Sequence, residues 1–155
     1  MTKKGKILVV DDNAGIRSAL GILLPLHFKE TELIPSPSGL VSKMAQMQPD
    51  VILLDMNFNT GINTGNEGLY WLSEIKKRSP DTEVVLFTAY ADIALAVEGM
   101  KRGAFDFIVK PWDNEKLIST LRSACSQSIS QRHPESEEQA GKDNSECMRW
   151  GRSSS

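Results

Sequence analysis

Four short stretches of the chain are apolar almost without interruption: Ile7–Val10, Val51–Leu54, Val84–Phe87 and Phe107–Val109. Unbroken rather than alternating hydrophobicity marks strands covered on both faces, as in a parallel sheet. A weaker run, Thr31–Ile34, is more polar and is followed by Pro35, which suits an edge strand. Between the runs, apolar residues recur at helical spacing. Ile16, Leu20 and Leu23, with Ala19 and Leu24, predict a helix that Pro25 kinks or ends. Leu40, Met44 and Met47 predict a second, just before Pro49, and Leu69, Leu72 and Ile75 a third that ends near Ser79-Pro80. Ile93, Val97 and Met100 predict a fourth, with Asp92 as N-cap and Gly103 as stop. Leu117, Leu121 and Ala124 predict a fifth, opened by Asp113.

The order is strand then helix, five times over. Right-handed crossovers turn that order into an α/β fold, a (βα)5 doubly wound parallel sheet with helices on both faces. Ligands of such sheets bind beyond the carboxyl ends of the strands, at the topological switch point. From about Ser130 the pattern stops. The stretch "SISQRHPESEEQAGKDNSECMRWGRSSS" has no apolar period and is rich in Ser, Glu, Gln and Gly. Residues 1–129 are therefore expected to form the domain and 130–155 a flexible linker or tail.

Composition removes several classes. The 155 residues suffice for one domain, and the formal net charge is −2. Nothing forms the basic face that direct nucleic-acid binding requires. No apolar run approaches the ~20 residues of a membrane span. The basic start, Met1 to Lys6, is followed by an apolar run too short for a secretion signal, so the chain is expected in the cytoplasm. Cys125 and Cys147 are far apart and read as reduced thiols; His27 and His133 are isolated in sequence.

The chemistry lies at the strand ends. The first strand runs into Asp11 and Asp12, the second long one into Asp55, the third into Thr88 and the last into Lys110. Singly, each has a plain structural explanation: Asp12 or Asn13 could cap the next helix, Asp55 start a loop, and Thr88 cap a turn. In a parallel sheet, however, all of them converge on one edge. Three carboxylates around one hole make a hard-oxygen site suited to Mg²⁺. A lysine and a hydroxyl beside it supply donors to a phosphoryl group.

With "VVDDN", "VILLDMN", "VVLFTAY" and "GAFDFIVKPW" in this order, the sequence resembles the receiver domain of bacterial two-component response regulators over roughly Lys6 to Ser128. The "TAY" and "GAFDFIVKPW" stretches are most similar to those of σ54-type (NtrC-like) transcriptional regulators. The resemblance implies a flavodoxin-like strand order, 2-1-3-4-5. It implies that Asp55 accepts a phosphoryl group from a sensor histidine kinase, which makes the chain a signalling switch rather than an enzyme. Asp12 and Asp55, with the backbone carbonyl of Asn57, would ligate Mg²⁺, and Asp11 would hold it through water. Lys110 would pair with the phosphoryl oxygens, next to a cis bond to Pro111. Thr88 and Phe107 would form the switch that alters the face made by helix 4, strand 5 and helix 5, which controls an output such as transcription and through which a homodimer could form.

Departures from the family pattern are local. The loop "MNFNTGINTGNEGL" is about five residues longer than usual and lacks the usual proline; it reads as a tolerated insertion. Phe107 replaces the more frequent tyrosine, Trp112 is expected to anchor against the fifth helix, and Tyr90 is expected near the phosphoryl site. "MRWGRSSS" is weakly similar to the start of a σ54-type ATPase domain, which points to an output domain beyond the tail. Three rivals are weaker. An Asp-nucleophile phosphatase would want a second acid two residues after Asp55, where Asn57 stands. A flavodoxin-like electron carrier would want a phosphate loop where Asp11-Asp12-Asn13 stands. A receiver-like interaction module without phosphotransfer would not need the intact acidic set.

Overall fold

The structure is a computed structural model that describes residues 4–56 and 66–132. The four apolar runs and the more polar one become β1 (Lys6–Val10), β2 (Glu30–Ile34), β3 (Val51–Asp55), β4 (Glu83–Ala89) and β5 (Asp106–Lys110). All pair in parallel in the order β2-β1-β3-β4-β5, as expected. The polar run is indeed an edge strand, bonded to β1 alone and half-buried throughout. The helices are α1 (Ala14–Leu23), α2 (Leu40–Met47), α3 (Asn66–Arg78), α4 (Ile93–Lys101) and α5 (Asn114–Arg132).

The period of two along each strand divides the interior into two cores. Leu8, Val10, Ile52, Leu54, Val84 and Leu86 face α2, α3 and α4. Ile7, Val9, Val51, Leu53, Val85 and Phe87 face α1 and α5, where they meet Leu20, Leu117 and Leu121. Each such side chain contributes about 1.5–3 kcal/mol by leaving water. Because strands in parallel register share their faces, this parity also decides which polar residues meet at the strand ends.

Most helix ends follow the expected chemistry. Pro25 falls in a 3-10 turn, Leu24–Leu26, after which the chain leaves the helix. The cap of α1 is Asn13, whose Oδ1 accepts from the Ile16 N–H at 2.9 Å. Asp113 opens α5 by accepting from the Lys116 N–H at 2.9 Å. Gly103 ends α4 with φ near 110°, a conformation that favours glycine. The Ala104 N–H reaches the Gly99 carbonyl and the Gly103 N–H the Met100 carbonyl, which completes a Schellman motif.

Helix α4 departs from expectation on two counts. Asp92 occupies the N-cap position but makes no side-chain capping bond. The buried face is Ala96 and Gly99, while Val97 and Met100 of the anticipated stripe are 44% and 37% exposed. A Cβ on Gly99 would overlap Leu86 Cδ1, so close approach of the helix to β4 selects the small residues and rolls the larger ones outward.

At the other end of the chain, α5 runs to Arg132, three residues past the expected boundary at 129. Ser128 is fully buried and donates to the Asp81 carbonyl at 2.6 Å. The remainder of the anticipated tail, with His133 and Cys147, lies outside the described residues, as does the long loop after Met56 with Asn57. No helix among the described residues is long and apolar enough to cross a membrane.

Candidate functional site

Strand register builds the site. Val10 pairs with Leu54, so the next residues along, Asp11 and Asp55, emerge side by side at the switch point between β1 and β3. Asp55 pairs with Phe87, and Phe87 with Ile108, two residues before Lys110. By parity, Asp11, Asp55, Phe87 and Lys110 all lie on the α1/α5 side of the sheet. Lys110 Nζ sits 2.9 Å from Asp11 Oδ2 and 3.1 Å from Asp55 Oδ1. Both carboxylates are buried, whereas Asp12 is exposed, and one oxygen from each of the three lies within 4.8 Å of the others.

The electrostatics are asymmetric. Among the described residues, three carboxylates face the Lys110 ammonium, with the Arg17 guanidinium at the Asp11 carbonyl, and the remaining excess of negative charge is one that a divalent cation would balance. Burial acts to lower the pKa of Lys110, but the charge of Asp55, then the hydrogen bond and charge of Asp11, outweigh it and raise the pKa above its ordinary value. The ammonium therefore stays charged. The loop that carries the acids is held by its own hydrogen bonds. The Asn13 N–H donates to Asp11 Oδ1 at 2.8 Å and Arg17 Nη1 to the Asp11 carbonyl at 2.9 Å. Asn13, not Asp12, is the cap of α1, so the carboxylate of Asp12 belongs to the acidic cluster.

This donor set fits a hard divalent ion: all three groups are oxygen ligands, and the exposed one keeps the cluster accessible. Of the anticipated residues, Asp11, Asp12, Asp55 and Lys110 are brought together. The Lys110-Pro111 bond is cis. Thr88 is fully buried on the opposite face, beside Leu86 and Val109, and its hydroxyl points to the Ala89 and Asp92 carbonyls at 3.3 and 3.4 Å. Phe107 lies on that same face, partly buried against the α3/α4 core. Tyr90 is 78% exposed in the turn before α4. Trp112 is anchored as expected at the start of α5, where its indole N–H donates to Asn114 Oδ1 at 2.8 Å.

Two contacts were not anticipated. One is the grip of Arg17 on the Asp11 carbonyl, for which α1 carries no sequence signal. The other is Phe87, whose ring centroid lies 4.8 Å from Lys110 Nζ and 5.4 Å from the Trp112 ring. Phe87 is visible in sequence only as the residue before Thr88; the β3–β4 register is what places it beside Asp55.

Comparison with known proteins agrees with this geometry. Residues 7–122 match the family model described as response regulator receiver domain. Regulatory protein AtoC of Escherichia coli is 33% identical over 124 residues, covering 80% of this chain and 26% of that protein. The DNA-binding transcriptional regulator NtrC of Salmonella typhimurium is 30% identical over 132 residues, covering 85% of this chain and 27% of its own. The chain thus spans about a quarter of the length of these relatives. Among solved structures, the N-terminal signal receiver domain of a Bacteroides fragilis response regulator is 52% identical, with a TM-score of 0.72 over 79% of this chain and 97% of that one. NtrX of Brucella abortus is 30% identical, with a TM-score of 0.74 over 87% of this chain and 30% of that one. With the parallel sheet in receiver order, the acidic cluster at its switch point and the family match over most of its length, the chain belongs to the response regulator receiver domains.

Proposed function

We propose that the protein is a phosphorylation-activated switch in which Asp55 accepts a phosphoryl group from a sensor histidine kinase. The observation that carries this reading is the cluster itself: Asp11, Asp12 and Asp55 within 4.8 Å, with Lys110 bridging the two buried members. A carboxylate attacks a dianionic phosphoryl group only where cations neutralise both. Lys110 supplies one such charge at 3.1 Å from Asp55 Oδ1. In the transfer, an Asp55 oxygen forms the new O–P bond as the donor's P–N or P–O bond breaks, and the donor keeps that electron pair. Mg²⁺, when bound, would supply Lewis-acid neutralisation of the phosphoryl oxygens. Asp12, Asp55 and the backbone carbonyl of Asn57 are the groups proposed to hold it, with Asp11 acting through water.

The charged acyl phosphate then offers strong acceptors to the hydroxyl of Thr88, which now bonds only weakly to the turn before α4. Since Thr88 and Phe107 share the α3/α4 face of the sheet, a shift of Thr88 would open room for the Phe107 ring. The readout surface is the α4/β5/α5 face, where α4 exposes Val97 and Met100; a homodimer through this face is part of the proposal. The segment beyond α5 is proposed to link the receiver to an output domain that controls transcription, with no direct nucleic-acid contact by the receiver itself. The setting would be cytoplasmic, where such a kinase presents its phosphohistidine.

Intact-mass measurement after incubation with acetyl phosphate and Mg²⁺ tests the reading. One phosphoryl group localised to Asp55, absent from Asp55→Asn and from chelated wild type, is expected. Equal labelling of Asp55→Asn would refute it.

A further inference from the structure

We infer that Phe87, backed by Trp112, is a positioning residue that holds the Lys110 ammonium at Asp55. This rests on the phosphoacceptor reading of Asp55 and extends it to a residue outside the acidic cluster. Among the described residues, three groups surround the ammonium: Asp11 at 2.9 Å, Asp55 at 3.1 Å and the Phe87 ring, 4.8 Å from nitrogen to centroid. Phe87 is fully buried, so no water reaches the ammonium through that wall. The register explains the arrangement. Phe87 is the β4 partner of Asp55 and shares its face, so any side chain at position 87 becomes the floor beside the nucleophile. The Trp112 ring lies 5.4 Å from Phe87 at 57° and prevents the floor from tilting away.

The ring matters most when the ion pairs weaken. A divalent cation on Asp11, Asp12 and Asp55 would draw off the charge that now holds Lys110. The lysine is already 20% exposed, and its long stem would let the ammonium leave for water. An aromatic face attracts the ammonium without competing for the metal, because its negative quadrupole faces the cation and offers no hard-oxygen ligand. An aliphatic residue of similar size would fill the same volume and exert no such pull. The attraction to phenylalanine corresponds to about a two- to thirtyfold change in how often the ammonium is in place.

The test separates the quadrupole from the packing. Phenylalanine 87 is replaced by 4-fluoro-, 3,5-difluoro- and 3,4,5-trifluorophenylalanine, which drain the ring face while nearly conserving its volume, and by leucine in Phe87→Leu. Acetyl phosphate with Mg²⁺ is the phosphodonor. Labelling of Asp55 is expected to slow progressively across the fluorinated series, by about three- to tenfold at its end. Mg²⁺ affinity should not weaken across the series, since the ring supplies no oxygen ligand and a freer Lys110 competes less with the ion. In metal-free protein, NMR should show the Lys110 ε-methylene protons shifted upfield by the ring and returned to ordinary positions in Phe87→Leu. Equal rates across the fluorinated series, with wild type labelled, would overturn the proposal, as would slowing confined to Phe87→Leu, which is a packing effect. An absent upfield shift in wild type would overturn it without touching the phosphoacceptor reading. Unlabelled wild type with the shift present would overturn that reading and, with it, the role of the ring.

Discussion

Replacing Lys110 by methionine probes the balance of charge at the strand ends. The ammonium lies 2.9 Å from one buried carboxylate and 3.1 Å from another. At an effective dielectric of ~20 these attractions are about 6 and 5 kcal/mol gross. The mutual repulsion of Asp11 and Asp55 and the desolvation of all three groups cancel much of that. Removing one partner from a buried ion pair costs ~3–5 kcal/mol, because the other charges remain unbalanced. Lys110 retains some exposure, so water can partly replace it, and the lower end applies: about 3 kcal/mol, or a fall of about 10 °C in melting temperature. Mg²⁺ should bring Lys110→Met back near the stability of metal-free wild type, while wild type gains by the same linkage. At ~100 times its dissociation constant it contributes about 2.7 kcal/mol to any fold that binds it. It should also bind Lys110→Met more tightly than wild type, since a competing cation has gone. Urea denaturation of both proteins in chelator and in Mg²⁺ measures the two gaps, with Asp12→Ala as the reference for lost metal affinity. Because Asn13 caps α1, Asp12→Ala should be no less stable than wild type in chelator. If Lys110→Met matches wild type in chelator, or loses Mg²⁺ affinity as severely as Asp12→Ala, the charge-balance reasoning fails.

Three further outcomes follow from packing and burial. Gly99→Ala would drive a methyl group into Leu86 and should cost about 1–3 kcal/mol by urea denaturation, with α4 displaced outward. Gly68→Ala would place a Cβ 3.1 Å from the Met56 Cα, next to Asp55, so labelling of Asp55 should fall by more than the stability loss alone would produce. The Cys125 thiol is pushed up to about 12 by burial and by the charge of Asp50. Between its ordinary value near 9.0 and about 12, the unfolded chain holds fewer protons at this site than the folded one. Stability should therefore fall by ~1.4 kcal/mol per pH unit as pH rises through that window. Cys125→Ala should flatten this slope, and alkylation at Cys125 of native protein at pH 8, localised by peptide mapping, should be negligible; fast alkylation at that residue would contradict the burial.

Much of the molecule was legible along the chain because its signals are local. Four unbroken apolar runs call for cover on both faces, which a parallel sheet between helix layers supplies, and the polar run at Thr31–Ile34 suits an edge. The acidic pair after Val10, Asp55 after Leu54 and Lys110 after Val109 were visible as departures from hydrophobicity at strand ends, and the sheet necessarily gathers strand ends. What the chain order could not disclose was decided by distance and by face. The apolar stripe of α4 is genuine in sequence, yet Leu86 leaves no room for a side chain at Gly99, and Ala96 and Gly99 are the buried residues of the helix, so packing against β4 overrode periodicity. The cap of α1 is Asn13, whose side chain accepts from the Ile16 N–H, while the Asp12 carboxylate lies in the cluster with Asp11 and Asp55. Thr88 and Phe87 are neighbours in sequence, but alternation along β4 sends one to the α3/α4 core and the other beneath Lys110. That assignment depends on register across three strands, a non-local quantity set by which faces bury together, and it exists only once the sheet has formed.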